Sequence, residues 1–171
     1  MKKILACVLT IGAAAFLGAQ SGSVVHGTIK KIDAGAKTIA ISTEKGAEEV
    51  VEFTDKTVVH GTVAGAKDTF KGLKEGTEVV AHYTVVGTKK TAVEVDHIGK
   101  GGLKVVDGTV TKVDDGAKTV AVKTADGSEH VFHFTEAAGK DIGKGTEKAG
   151  KVSVHYTEEG GKKIAHFFEK I

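Results

Sequence analysis

Eight histidines and no arginine make imidazole the side chain through which this sequence could do chemistry near neutral pH. Six of the eight occupy suggestive positions: His82, His97, His130, His133, His155 and His166. The His130-x-x-His133 spacing would place both rings on one face of a helix. The segment EHVFHF around them reads instead as a strand, with Phe132 and Phe134 on one side and Val131 and His133 on the other. The pair therefore points to opposite faces and should not chelate one ion.

His155 and His166 fall on consecutive strand-like segments joined by a turn at residues 158–161. A two-residue Gly160-Gly161 turn would set His155 opposite His166. In the equivalent strands earlier in the chain, that register would bury Glu94 and Asp96 beside Val79, Ala81 and Tyr83 without partners. A three-residue turn sets Val152, Val154 and Tyr156 against Phe168, His166 and Ile164, and burial favours this register. It implies that His82 and His155 are solvated and that His166 faces the core with its nitrogens hydrogen-bonded. A half-exposed zinc or copper(II) site remains open, using His133 and His155 with a carboxylate from a neighbouring strand. The imidazoles are otherwise expected to be scattered.

Other chemistries find less support. Ser42, Ser128 and Ser153 lie in strands or a turn with no Gly-x-Ser-x-Gly elbow. The acidic pairs Asp114-Asp115 and Glu158-Glu159 adjoin glycine and serve turns. No calcium loop, Walker motif or dinucleotide glycine pattern occurs. No catalytic residue and no cofactor are expected.

The elements that position these groups are written twice. VVHGTIKKIDAGAKTIAIST begins at Val24, and VVDGTVTKVDDGAKTVAVKT begins at Val105. The correspondence runs from Val24/Val105 to Thr54/Thr135. It resumes at Lys67-Asp68/Lys140-Asp141 and continues through His82-Tyr83-Thr84/His155-Tyr156-Thr157 to Ile98/Ile171. Between these blocks the first copy carries an extra KTVVHGTV, residues 56–63. Such a duplication predicts two modules, residues 24–98 and 105–171, joined by a Gly/Lys linker at 99–104. TIAIS and TVAVK alternate apolar and polar residues, as half-buried strands do, with turn residues at short intervals. Residues 64–73 are the one plausible short helix; their counterpart, 137–145, is glycine-rich and expected to be frayed or loop. The fold class predicted is all-β: two tandem small OB-like barrels, each with a short helix or loop after the third strand. Few aromatics predict thin cores, and barrels that either pack on each other or have a modest stability margin.

Ahead of the repeats, Lys2-Lys3, an apolar run at 4–17 and small residues at 18–22 have the order of a secretory signal peptide, residues 1–20, with cleavage expected shortly after Ala19. Cys7, the single cysteine, lies within that run, so the mature chain would have no thiol chemistry. Cleavage would also take two of the 24 basic side chains and leave all 22 acidic ones, giving a near-neutral protein. Near-neutral charge, the lack of arginine and few aromatics argue against nucleic acid as a partner.

The pattern V-x-G-T-[IV]-x-K-[IV]-D, then K-T-[IV]-A-[IV], F-T and K-K-x-A, resembles a broad group of uncharacterised secreted bacterial domains with small OB-like barrels. The opening G-x-[IV]-K-K-[IV]-D is also similar to periplasmic copper-chaperone barrels of CusF type. Those bind copper(I) with Met and His beneath a Trp, whereas Met1 is the only methionine here and tryptophan is absent. The resemblance implies fold and export more than activity. The functional expectation is a periplasmic or secreted, non-catalytic binding or structural module, with no membrane span after cleavage. Its partner would be a protein, glycan or small ligand of the cell envelope. The alternative is a histidine-dependent divalent-metal binder for zinc or copper.

Overall fold

The computed structural model describes residues 22–62, 66–142 and 149–171. The expected signal peptide, residues 1–20, and its expected cleavage point lie outside the described residues. Among the described residues, eleven strands and one helix follow one another as β1 (Gly22–Asp33), β2 (Thr38–Ser42), β3 (Glu48–Glu52), β4 (Val58–His60), β5 (Glu78–Val86), β6 (Lys89–His97), β7 (Lys104–Asp114), β8 (Thr119–Lys123), β9 (Glu129–Phe134), α1 (Glu136–Ile142), β10 (Lys151–Glu159) and β11 (Lys162–Lys170).

The second half closes as a barrel in the order β10-β11-β9-β8-β7. The first half repeats that circuit as β3-β2-β1-β5-β6, with β3 meeting β6 in parallel at Glu52 and Thr91. A three-stranded meander, a hairpin returning to the first strand and a parallel closure onto the third is the OB-type order. The molecule is thus two tandem all-β barrels. The extra segment of the first copy becomes β4, which adds to β6 in parallel: Val58 meets Glu94, Val59 meets Val95 and His60 meets Asp96.

Both copies obey the same local rules. Asp33 Oδ1 accepts the Ala36 N–H at 2.8 Å and Asp114 Oδ1 that of Ala117 at 2.8 Å, closing the β1–β2 and β7–β8 turns alike. Glycine is required at 27 and 108. A Cβ would come within 2.2 Å of the Ser42 carbonyl oxygen in one barrel and 2.5 Å of Val122 in the other. Each interior is filled by inward residues of alternating strands: Ile29, Ile39, Ile41, Val51 and Phe53 in the first, and Val110, Val120, Val122, Phe132 and Val154 in the second.

Two expectations need correction. The helix forms in the second copy. Thr135 caps it, its hydroxyl accepting from Ala138 N at 3.3 Å, and two alanines favour helix in the first turn. In the first copy, residues 66–73 form turns: Asp68 accepts from Phe70 N and Gly72 N, and Lys71 and Gly72 have positive φ. Competition from a side-chain acceptor explains the loss of helix there. The hairpin register is also different. Both turns contain two residues, Val86 pairing with Lys89 and Glu159 with Lys162. The phase change that burial demands comes from a β-bulge between His82 and Tyr83 and between His155 and Tyr156, opposite Val93 and His166. Val154 accordingly faces Phe168, and Val79 faces His97.

Candidate metal site at the seam between the barrels

Parallel pairing of β4 on β6 and antiparallel pairing of β5 on β6 align three strands of the first barrel. Val59, Val95 and Ala81 point inward to its core. Alternation then directs His60, Glu94, Asp96, Val80 and His82 to the outer face. On an isolated barrel this face would meet water. Here the second barrel covers it: Glu94 is 3% exposed, Asp96 1% and His82 7%.

The covering residues come from the bulge in β11 and the start of α1. A bulge lets two successive residues leave the same side of a strand, so His166 and Phe167 both turn away from their own barrel. Phe167 packs with Val80 and Ile98, flanked by Val24 and Leu103. His166 reaches across: its Nδ1 lies 2.8 Å from Asp96 Oδ2, and its Nε2 lies 2.9 Å from Thr157 Oγ1. His82 Nε2 donates to the His166 carbonyl at 2.7 Å. Ala137 N–H donates to Glu94 Oε2 at 3.3 Å, which also stands 3.6 Å from His60 Nε2.

Each buried carboxylate is therefore only half satisfied. Glu94 Oε1 and Asp96 Oδ1 are buried and have no hydrogen-bond partner among the described residues. Burying a carboxylate oxygen without a partner costs free energy, and here two such oxygens share one seam. One ligand atom each from His60, Glu94 and Asp96 lies within 4.8 Å of the others. A tetrahedral ion with arms of about 2.1 Å sets its ligands about 3.4 Å apart, close to the His60–Glu94 separation. One imidazole with two carboxylates suits zinc or copper(II), whereas calcium and magnesium prefer oxygen alone. His60 is 48% exposed and forms the open side through which an ion would enter. Its backbone is fixed by the next residue: the Gly61 carbonyl accepts from His97 Nδ1 at 2.8 Å.

The histidines singled out in the sequence are distributed as follows. His133 sits on β9, opposite Thr119 and Ile164, and His155 on β10, opposite Phe167. β11 lies between their strands. His155 does have a carboxylate from a neighbouring strand, Glu169, at 3.3 Å, and its ring stacks on Phe167 at 3.9 Å. Burial holds its imidazole below the ordinary histidine range. Glu169 and Asp107 oppose that shift, and His26 adds to it. His130 and His133 take opposite faces as expected, His130 receiving Lys163 Nζ at 2.9 Å. The expectation of a solvated His82 is overturned, because its face of β5 is the seam. His166 has both nitrogens engaged, as expected, yet it faces the other barrel and not its own core. Four of the eight imidazoles, those of His60, His82, His155 and His166, border the seam, and the cluster of possible ligand atoms found among the described residues includes one of them, His60. His60, Glu94 and Asp96 escaped notice as a group. Their signals were present in the histidine of the inserted segment and in the Glu-x-Asp alternation of β6, which copy two replaces with Phe167 and Glu169.

No protein-family model and no curated protein matches the chain. Among solved structures it is similar to silver(I)-bound CusF, at 15% identity and a TM-score of 0.35 over 46% of this chain and 99% of that one. A second is an Escherichia coli CusF variant, tryptophan to alanine, with copper(II): 17% identity and a TM-score of 0.36 over 47% and 94% of the two chains.

Proposed function

We propose that this chain is an exported, non-catalytic divalent-metal-binding protein, with zinc as the preferred ion, held by His60, Glu94 and Asp96. The observation that carries the reading is the pair of buried carboxylates, each with one oxygen left without a partner, which together with the half-exposed His60 imidazole bring one possible ligand atom apiece within 4.8 Å of one another. A divalent cation would supply the partner that these two oxygens lack. The other seam histidines are tied to backbone, hydroxyl or carboxylate groups, His82 to the His166 carbonyl, His155 to Glu169 and His166 between Asp96 and a Thr157 hydroxyl that is itself buried, which favours binding over catalysis. Export would place the protein in the periplasm or medium, where envelope metal is the natural cargo for such a site.

Thermal melting with zinc and a chelator control tests this. At a hundredfold excess over Kd the melting temperature should rise by about 5 °C or more. Glu94→Gln with Asp96→Asn should abolish the rise, while His155→Ala should leave it intact. Loss of the rise in His155→Ala alone would transfer the site to His133 and His155 with Glu169. The absence of any rise in the unmodified protein would refute metal binding.

A further inference from the structure

Building on the metal reading, we infer that cation binding and docking of the two barrels are a single coupled equilibrium, with the ion acting as a latch across the seam. The ligands belong to the first barrel, but their orientation is set by the second. Asp96 holds its Oδ2 against His166 Nδ1 at 2.8 Å, and Glu94 takes the Ala137 N–H on Oε2 at 3.3 Å. Each of these contacts fixes one carboxylate oxygen and leaves the other buried and unpartnered. Without the second barrel, both side chains would stand on an open sheet face, hydrated and free to rotate. Partners that orient ligand side chains typically change metal affinity by roughly tenfold to a hundredfold.

Reciprocity requires the converse: an ion that prefers the docked arrangement must favour docking by the same factor. The seam is suited to such control. Among the described residues its apolar part is small, three buried residues with Val24 and Leu103 at the margin, and the connection at 99–102 contains three glycines. Opposing it is the cost of covering two carboxylates. In the absence of a cation that cost loosens the contact, and the cation removes it. The asymmetry of the duplication fits this role. Only the first copy has the inserted β4 with His60, and only the second has the β11 His166 that reaches across.

The test uses the mature full-length chain with nitroxide labels on Val50→Cys and Val131→Cys, exposed positions on different barrels. Pulsed electron paramagnetic resonance should give a broad distance distribution with chelator and a single narrow one with stoichiometric zinc. His166→Leu removes no proposed ligand, yet it should weaken zinc binding at least tenfold and keep the distribution broad; His166→Gln, which can still donate to Asp96, should recover part of both. Phe167→Ala, a change to the apolar contact alone, should weaken zinc binding several-fold. Zinc affinities in His166→Leu and Phe167→Ala equal to that of the unmodified chain, or a distribution that zinc leaves unchanged, would overturn the latch while leaving the metal site standing. Failure of the unmodified chain to take up zinc would overturn both.

Discussion

Glu94 and Asp96 pose the sharpest energetic problem in the molecule, because neighbouring carboxylates have been taken out of water with one oxygen each unpaired. Replacing Glu94 by glutamine keeps the shape, allows the Ala137 N–H bond and removes one charge. Glu94→Gln should therefore raise the melting temperature of the metal-free protein or leave it unchanged, while removing the zinc-induced rise. A large destabilisation without metal would show that the carboxylate is already compensated. His155 gives an independent pH prediction. Burial lowers its folded-state pKa below the unfolded value near 6.5, although Glu169, 3.3 Å away, opposes the shift. The unfolded chain then binds the proton more readily. Stability from this group is fully present above the unfolded pKa and is lost as pH falls through the folded one. Metal-free protein should melt at lower temperature at pH 5 than at pH 7, and His155→Phe should flatten that part of the profile. An equal slope in the variant would assign the acid sensitivity to other groups.

The strands themselves were legible in the sequence because alternation and turn chemistry are local. The repeated Asp33 and Asp114 turns and the obligatory glycines at 27 and 108 recur in both barrels. Gly27→Ala would force a Cβ to 2.2 Å from a backbone oxygen that cannot move without displacing β2. It should cost about 1–3 kcal/mol, read as a lower denaturant midpoint. What was not legible was the hairpin phase. Burial demanded a change of face between turn and strand end, and turn length and bulge satisfy that demand equally well from sequence alone. The difference has consequences: a longer turn would slide the whole strand, whereas the bulge moves only its far half and swings His166 and Phe167 outward. The first copy departs from the expected helix for a comparable reason, since Asp68 offers its own backbone a better local bond than a helix would.

At the scale of the whole molecule, the duplication predicts two similar barrels and says nothing of the face on which they meet. That face is assembled from residues that differ between the copies, so the repeat pattern that disclosed the fold concealed the candidate site. Glu94 aligns with Phe167 and Val93 with His166; each copy supplies what the other lacks. Because the ligands, their orienting partners and the apolar contact share one seam, unfolding with bound zinc should be a single transition for both barrels, and separate transitions should emerge on chelation. Calorimetry in the two conditions checks this; two transitions in both would mean that the barrels are independent. The most direct measurement of the central claim is anomalous diffraction at the zinc edge from crystals grown with stoichiometric zinc. Bound zinc should give one strong peak within about 2.1 Å of His60 Nε2 and of a carboxylate oxygen from each of Glu94 and Asp96. A peak between His155 and Glu169 instead, or an ordered seam without any peak, would contradict it.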